Sequence, residues 1–387
     1  MKVQITDTVK YIGVDDTTLD LFESQYVIPE GVSYNSYVIL DEKIAVMDTV
    51  DKRGMKEWEE NLATVLEGRK PDYLVIQHLE PDHAGSIARL VELYPEVTLV
   101  GNAKTFAMLP QFFDFELEGR TLVVKEGDVL SLGEHELTFV MAPMVHWPEV
   151  MVTYDSKDKI LFAADGFGKF GALSLTADKD WACEARRYYF NIVGKYGAPV
   201  QTLLKKAAGL DIAYICPLHG PVLSENLGYY INLYDTWSSY KPENEGVLVA
   251  FASIHGNTAK VAEYIGEQLK AKGVEKVVVS DLAREDMAEV IEDAFRYDRM
   301  ILCAASYDGG VFPCMQDFLH HLQSKTYQNR KVAVVENGSW APSAGKTMRG
   351  ILDTMKNLEI VEPMVTIRSV MKEADKAALE ALVDKMV

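Results

Sequence analysis

The sequence predicts an α/β protein in two parts, a strand-rich first half and a second half with a parallel sheet covered by helices on both faces. Short apolar runs separated by turns fill the chain to about residue 240, and strand and helix then alternate strictly. The join between these regions, YKPENEG, carries a proline and three charges. The 387 residues exceed what one compact core usually holds. We therefore predict two domains, 1–243 and 246–387.

The strands predicted for the first half are short runs rich in Val, Ile, Leu and Phe. Such runs, bounded by turn residues, are typical of buried or half-buried strands. A long helix is expected over 181–209, before the last strand. The predicted strands lie in YNSYVIL, KIAVMDT, DYLVIQ, VTLVGN, TLVVKEG, LTFVMAP, KILFAAD and AYICP.

The second half alternates predicted strands with predicted helices. This alternation is typical of a parallel sheet, because each parallel strand pair needs a crossover connection. We expect a doubly wound sheet with its functional loops at the carboxyl ends of the strands. The predicted strands are 246–252, 275–280, 299–304, 331–336 and 360–367, and the predicted helices are 258–272, 285–294, 313–324, 343–357 and 373–386.

The composition argues against several classes of partner. A formal net charge of -19 disfavours nucleic acid and anionic membranes, because both would repel the chain. No apolar run approaches the roughly 20 residues that span a bilayer, and the chain starts without a signal-peptide pattern, so we expect a cytoplasmic protein. The four cysteines lack C-x-x-C spacing, which favours buried free thiols over disulfides or a thiolate metal site.

The stretch LVIQHLEPDHAGS places four strong metal ligands directly after a predicted strand. These residues are His78, Glu80, Asp82 and His83. Pro81 disfavours a helix at this point, and in an extended chain positions 78, 80 and 82 face the same side. Imidazole and carboxylate together suit divalent metals of hard or borderline character. The sequence thus predicts a metal site, with an ordinary polar surface turn as the alternative.

Three further candidate ligands each follow a predicted strand. His146 comes after LTFVMAP, Asp165 after KILFAA and His219 after AYICPL. The carboxyl ends of strands are where α/β sheets gather their sites. Taken singly, either histidine could be structural and Asp165 could form a turn with Gly166, but their shared placement favours one common site. His135 lies among charges in a predicted hairpin, and we expect it at the surface.

A loop at the start of the second half predicts a phosphate site. The loop SIHGNT, residues 253–258, joins a predicted strand to a predicted helix. The hydroxyls of Ser253 and Thr258, the amide of Asn257 and a glycine that permits close approach can surround a phosphate at the helix N-terminus. No G-K-[ST] sequence is present there, so a nucleotide triphosphate is not the expected ligand. The alternative is a simple helix N-cap.

Two later loops could hold a flat ring beside this phosphate site. They read AASYDGGVFP and ENGSWAPSAG, and they follow the third and fourth predicted strands. Gly309, Gly310 and Gly338 can expose backbone groups to a ring, and Tyr307 and Trp340 offer planes for stacking. The alternative is that these aromatic residues are ordinary, partly buried loop residues.

The ligand order H-x-E-x-D-H at 78–83, followed by His146, Asp165 and His219, resembles the diiron form of the metallo-β-lactamase fold found in flavodiiron proteins. Hydrolases of that fold usually carry His at the position of Glu80. A carboxylate there favours iron over zinc. The second half resembles flavodoxin. The resemblance implies an N-terminal metallo-β-lactamase-like αββα sandwich followed by a flavodoxin-like doubly wound parallel sheet.

The resemblance also implies two cofactors, FMN and a non-haem diiron centre with two iron ions. It places His78, Glu80 and His146 on the iron nearer the flavin, Asp82, His83 and His219 on the other iron, and Asp165 between the two. It assigns FMN binding to Ser253, His255, Gly256, Asn257, Thr258, Ser306, Tyr307, Asp308, Gly309, Gly310, Asn337, Gly338, Ser339 and Trp340.

The activity that the resemblance implies is reduction of dioxygen to water, of nitric oxide to nitrous oxide, or of both. Because no C-x-x-C pair is present, an external electron donor is expected, and the family uses rubredoxin or reduced coenzyme F420. A head-to-tail homodimer is expected, with no nucleic acid or membrane partner. Two alternatives remain at this stage: a zinc or iron hydrolase with a regulatory flavin domain, and a non-catalytic electron carrier.

Overall fold

The computed structural model describes residues 5–176 and 179–387. Both strands and helices occur in each half, which confirms the predicted α/β class. The predicted domain limits at 243 and 246 stay a prediction. The chain divides into two compact units, the first comprising Met1–Tyr189 with Ala198–Asp235 and the second comprising Phe190–Gly197 with Thr236–Val387.

The strands of the first unit are short, and each of the predicted apolar runs overlaps one of them. They are β1 (Val9–Tyr11), β2 (Val14–Asp16), β3 (Leu21–Phe22), β4 (Tyr26–Val27), β5 (Val32–Tyr34), β6 (Tyr37–Ile39), β7 (Ala45–Met47), β8 (Tyr73–Val75), β9 (Thr98–Gly101), β10 (Thr121–Val123), β11 (Val129–Ser131), β12 (Glu136–Met141), β13 (Met151–Asp155), β14 (Ile160–Phe162) and β15 (Tyr214–Cys216).

Two mixed sheets pack on each other in the first unit. One has the order β1-β6-β7-β8-β9-β10 and the other β11-β12-β13-β14-β15. Alternate residues of each sheet meet in one apolar core, for example Tyr37 and Ile39 from β6 with Leu137 and Phe139 from β12. Burial of such a side chain contributes roughly 1.5–3 kcal/mol. Alternate residues of these strands thus face the opposite sheet, and their burial holds the two sheets together.

The helices of this part of the chain differ from the prediction over 181–209. The expected single helix is two α-helices joined by a π turn at Tyr189–Val193 and a 3-10 turn at Gly194–Tyr196. Gly194, Gly197 and Pro199 are poor helix formers, which explains the interruption. The helices are α1 (Met55–Leu66), α2 (Pro81–Ala84), α3 (Ile87–Leu93), α4 (Ala103–Met108), α5 (Leu173–Thr176), α6 (Trp181–Tyr188), α7 (Gly197–Ala207) and α8 (Leu227–Ser238).

The second unit contains the predicted parallel sheet. Its strand order is β17-β16-β18-β20-β21, with β22 also paired to β20, and β19 forms an antiparallel pair with β18. The elements are β16 (Asn244–Ala252), α9 (Asn257–Ala271), β17 (Val277–Asp281), α10 (Met287–Arg296), β18 (Tyr297–Tyr307), β19 (Gly310–Val311), α11 (Pro313–Ser324), β20 (Lys331–Asn337), α12 (Ala344–Leu352), β21 (Glu359–Ile360), β22 (Val365–Ile367) and α13 (Glu373–Asp384).

The last predicted strand, 360–367, is interrupted in the structure. Glu359 pairs with Lys331 at the start of β20, and Val365 pairs with Val335 near its end. The pairing register changes between the two segments, so the chain bulges away from the sheet between them. Elsewhere in the second unit each predicted strand and helix overlaps an observed one.

Two expectations about individual residues were wrong. His135 is fully buried instead of exposed: its Nδ1 lies 2.9 Å from Oδ2 of Asp155 and its Nε2 lies 2.8 Å from Oγ1 of Thr8. These polar partners come from distant parts of the chain and offset the cost of burying the ring. Among the cysteines, Cys183 is exposed and Cys314 is half-buried, whereas Cys216 and Cys303 are buried as expected.

No helix within residues 5–176 and 179–387 is long and apolar enough to cross a bilayer. This finding agrees with the hydropathy of the sequence, which has no long apolar run.

Candidate metal centre and flavin site

The ligand-rich segment after β8 does not run extended as predicted. Residues Pro81–Ala84 form a short helix in which the proline occupies the first turn. Proline is tolerated there because its missing N–H has no intrahelical partner at that position. His78 and Glu80 consequently lie before the helix and Asp82 and His83 lie within it, so the two pairs can face different centres.

The first of these centres is formed by His78, Glu80, His146 and Asp165. Oε2 of Glu80 lies 3.2 Å from Nε2 of His78 and 3.0 Å from Nε2 of His146. Oδ2 of Asp165 lies 3.3 Å from Nε2 of His78 and 3.2 Å from Nε2 of His146. Two imidazoles and two carboxylate oxygens thus converge from three separate loops.

The second centre is formed by Asp82, His83 and His219 and is completed by the other oxygen of Asp165. Oδ2 of Asp82 lies 3.3 Å from Nε2 of His83 and 3.1 Å from Nε2 of His219. Oδ1 of Asp165 lies 3.1 Å from Nε2 of His83 and 3.8 Å from Nε2 of His219. The carboxylate of Asp165 therefore faces both centres, one oxygen toward each.

The loops of the second unit meet at the carboxyl edge of its sheet. Helix α9 starts after Gly256, whose φ of 84° is left-handed and favours glycine. No side chain caps this 15-residue helix at its N-terminus, so its first N–H groups can take an anion. A phosphate site at SIHGNT therefore agrees with the local structure.

The second and third loops are joined by hydrogen bonds. Oγ of Ser306 accepts from the backbone N–H of Ser343 at 2.9 Å, and Oγ of Ser343 donates to the carbonyl of Gly310 at 2.8 Å. The side chain of Trp340 is 91% exposed and that of Tyr307 is 45% exposed. The ring of Tyr307 packs edge-on against Phe312, with ring centroids 5.4 Å apart. Two large aromatic side chains of these loops are therefore exposed to solvent.

Comparison with known proteins finds relatives of both halves of the chain. The chain matches the ODP family beta lactamase family over residues 32–220 and the flavodoxin domain over residues 248–373. It is 28% identical to the nitric oxide reductase of Moorella thermoacetica, covering 96% of this chain and 95% of that protein. It is also 28% identical to the rubredoxin-oxygen oxidoreductase of Megalodesulfovibrio gigas, covering 98% and 96%. The flavodiiron protein from Giardia intestinalis superposes with a TM-score of 0.93 at 25% identity, covering 100% of this chain and 96% of that chain.

The chain belongs to the flavodiiron proteins. Its fold is accordingly the predicted one, a beta-lactamase-like unit followed by a flavodoxin-like unit. The family membership implies FMN and a non-haem diiron centre as cofactors. The assignment of individual ligands to these cofactors stays a prediction that rests on the geometry above.

The geometry of this flavodiiron protein fits a metal pair. Ligand atoms that bind one metal at about 2.1 Å lie about 3 Å from one another. The separations given above have this size, except the 3.8 Å between Oδ1 of Asp165 and Nε2 of His219. Several of the buried ligand atoms, both oxygens of Asp82, Oδ2 of Asp165 and Nε2 of His219, make no hydrogen bond in the described part of the chain. Buried polar atoms without partners are costly, which indicates that they converge on an ion.

The protonation of the ligands in this flavodiiron protein also points to bound cations. Burial raises the pKa of Glu80, but hydrogen bonds with His146 and His78 outweigh it and hold the pKa below its usual range. Burial lowers the pKa of His146, but the neighbouring carboxylates of Asp165 and Glu80 outweigh it and raise the pKa to about 9. The carboxylates in this cluster are therefore stabilised by positively charged neighbours. Protonated imidazoles provide that charge in the metal-free protein, and a bound cation would provide it in the metal-loaded protein.

Sequence reasoning missed the residues that orient the ligands of this flavodiiron protein. Oε1 of Glu149 lies 2.8 Å from Nδ1 of His78 and accepts a second hydrogen bond from the backbone N–H of Leu79. Nδ1 of His219 donates to the carbonyl of Ser33 at 2.7 Å. A carboxylate three residues after a candidate histidine ligand was the available signal for Glu149. A backbone carbonyl carries no signal in the sequence.

The flavin loops of this flavodiiron protein also have a support that was missed. Ser369, which follows β22, donates its backbone N–H to Oδ1 of Asn337 at 2.9 Å and accepts at its carbonyl from the amide of Asn337 at 2.8 Å. Its hydroxyl lies 3.4 Å from the amide nitrogen of Asn257. A loop after the fifth strand therefore links the phosphate loop to the loop after the fourth.

Proposed function

We propose that this flavodiiron protein reduces dioxygen to water, nitric oxide to nitrous oxide, or both. The observation that carries the proposal is the position of Asp165, whose two oxygens face two separate ligand clusters. A site for two metal ions can hold one or two diatomic molecules between them. The names of the two relatives, a nitric oxide reductase and a rubredoxin-oxygen oxidoreductase, support both substrates.

The proposed residue roles follow from the two clusters. His78, Glu80 and His146 would hold one iron, and Asp82, His83 and His219 would hold the other, with Asp165 shared. When bound, the iron pair supplies a redox-active site for the diatomic substrate, and FMN supplies electrons one at a time. Asp165 would hold both ions through its two oxygens, and the burial of the ligand residues would exclude bulk water from most of the site.

The presence of a glutamate at position 80, where hydrolases of this fold usually have histidine, distinguishes this proposal from the hydrolase alternative. Glu80 places a third carboxylate in the shell beside Asp82 and Asp165. Anionic oxygen favours iron and stabilises a more highly charged metal pair, whereas a hydrolytic zinc site needs no such charge. The relatives are oxidoreductases by name, so the hydrolase alternative is not favoured.

The electron donor and the assembly are further parts of the proposal. We propose rubredoxin or reduced coenzyme F420 as the donor, a head-to-tail homodimer and a cytoplasmic location. The name of the Megalodesulfovibrio gigas relative supports rubredoxin. Trp340, Tyr307 and Ile254 are large apolar residues of the flavin loops that are exposed, which suits a contact with another chain. Sedimentation tests the dimer, and a monomer with full turnover would contradict it.

The test of the proposed function starts with cofactor content. Protein purified without air should contain roughly two irons and one FMN per chain and little zinc. With reduced rubredoxin it should then consume dioxygen or nitric oxide at an electrode. Zinc in place of iron would support a hydrolase, and FMN without metal would support an electron carrier. Iron and FMN without consumption of either gas would also contradict the proposal.

A further inference from the structure

An apolar cavity of about 100 Å³ lies in the first unit, beside the metal centre but outside its ligand shell. Its walls come from β13, β14 and β15 and from helices α7 and α8. Aliphatic and aromatic side chains make up its lining, and the hydroxyl of Tyr234 is occupied because it accepts the backbone N–H of Phe167 at 2.6 Å. The cavity therefore offers almost nothing to a polar ligand.

The inner end of the cavity reaches the backbone that carries two of the ligands. Val145, which lines the cavity, directly precedes His146, and Gly166, which also lines it, directly follows Asp165. Val145, Ala163 and Ile215 are all buried. The inner wall is thus built of buried residues, two of which are the direct chain neighbours of proposed metal ligands.

The outer end of the cavity lies nearer the surface. Leu203, Leu204, Ala207 and Ile231 line it from α7 and α8 and are half-buried, and Ala208 is exposed. The burial of the lining thus decreases from the strands of the sandwich toward the ends of these two helices. The cavity therefore forms an apolar path from the surface toward the centre.

The size and lining of the cavity select a class of occupant. A water molecule takes about 30 Å³ of liquid volume but needs polar partners, and apolar cavities of this kind stay dry and take up xenon or benzene. Drug-sized and cofactor-sized ligands need roughly 300–1,000 Å³. The occupant must therefore be both small and nonpolar. Diatomic gas molecules fit the volume of the cavity and dissolve better in hydrocarbon than in water.

We propose that this cavity collects the diatomic gas substrate and delivers it to the diiron centre through the inner wall at Val145 and Gly166. The proposal rests on the proposed function, because it assigns a binding site to the substrates of that function. It adds a residue set that determines how efficiently the enzyme uses gas at low concentration. The cavity residues bind no metal and transfer no proton, so their effect is on substrate supply alone.

Xenon tests the binding site directly and without turnover. Crystals of the iron- and FMN-loaded protein under xenon pressure should show xenon within contact distance of Leu204 and Ile215. Absence of xenon from the cavity would overturn the proposal, even if the enzyme reduces dioxygen or nitric oxide. Conversely, xenon in the cavity of a protein that consumes neither gas would count against the proposed function alone.

Filling the cavity tests its role in supply. Ala207→Phe places a ring in the outer part, and Ala198→Phe places the same ring on the exposed face of α7 as a matched control. We expect Ala207→Phe to lower kcat/KM for the gas about fivefold with little change in kcat at saturating gas, because access and not chemistry is restricted. Iron and FMN content should match the unaltered protein, and Ala198→Phe should have no effect.

A second cavity-filling variant, at a residue on α8, is needed in case Ala207→Phe lowers activity only because it folds poorly. Ile231→Phe enlarges a side chain of α8 that lines the same cavity. It should lower kcat/KM for the gas and reduce xenon occupancy together. Loss of xenon with unchanged kcat/KM in both filling variants would overturn the supply role, as would a fall in kcat at saturating gas with unchanged kcat/KM.

Discussion

Glu149 and His78 form a buried pair in which Oε1 of the carboxylate lies 2.8 Å from Nδ1 of the imidazole. A carboxylate at this position accepts, so Nδ1 carries the proton and Nε2 is left for a metal. The same imidazole nitrogen Nε2 is the one that faces Glu80 and Asp165. Glu149 thus fixes both the tautomer and the ring orientation of a proposed iron ligand without touching the metal site itself.

Replacing Glu149 should weaken iron binding. We expect Glu149→Ala to lower the iron affinity about 10–100-fold, because removal of a carboxylate that orients a histidine ligand has this effect in other metal sites. Glu149→Gln keeps an acceptor oxygen and should lose less. Iron titration of metal-free protein measures the effect, and Glu60→Ala on the exposed side of α1 is the control. Equal affinities for the Ala and Gln variants would show that the hydrogen bond does not matter.

Replacing Glu80 should remove gas reduction while FMN stays bound. The carboxylate of Glu80 contacts the imidazoles of His78 and His146 and belongs to the first unit, whereas the flavin loops belong to the second. Glu80→Ala should therefore contain less iron, a full complement of FMN and turnover at the background level. Metal analysis, flavin absorbance and a gas electrode measure the three quantities. Unchanged turnover would remove Glu80 from the set of proposed ligands.

Replacing Gly256 should weaken FMN binding without loss of iron. The φ of 84° at Gly256 costs an L-residue about 1–2 kcal/mol, so Ala there strains the loop that is proposed to hold the phosphate. We expect Gly256→Ala to bind FMN at least about tenfold more weakly, measured by flavin fluorescence. Bulky residues at Asn257 or Thr258 should act in the same direction.

Gly350 in α12 provides the matched control for Gly256. Its φ is not left-handed, and a Cβ built on it meets nothing within 4 Å. Gly350→Ala should leave FMN affinity unchanged and stabilise the helix by about 1 kcal/mol. Unchanged flavin affinity in Gly256→Ala, with iron content also unchanged, would mean that the phosphate lies elsewhere.

Metal uptake should release protons at neutral pH. The pKa of His146 in the metal-free protein is raised to about 9, so the imidazole carries its extra proton at about pH 7 and must lose it to bind a metal. At a pH well above 9 the imidazole is already neutral and this release should disappear. Titration of metal-free protein with a divalent metal in weakly buffered indicator dye measures the protons. No release at pH 7 would mean that His146 does not bind the metal.

The chemistry-bearing residues could be identified from the sequence because their signals are local. Four of the proposed ligands lie within six positions of the sequence: His78, Glu80, Asp82 and His83. The strand that precedes them can be recognised because it is a short apolar run whose side chains become buried. The βα alternation of the second half similarly specifies a parallel sheet, because each strand can reach its neighbour only through a helix. For these features, neighbouring residues carry the information.

The remaining features depend on residues far apart in the chain, and only the tertiary structure determined them. Pro81 predicted an extended ligand loop, but packing placed the proline in the first turn of a short helix, which separated the ligands into two centres. His135 is buried because Thr8 and Asp155 reach it across the sandwich. The pairing of Glu149 with His78 and the cavity between strands and helices have the same physical origin. Buried groups pack against and hydrogen-bond to whichever groups the fold brings next to them. The spacing of residues along the sequence does not show which groups these will be.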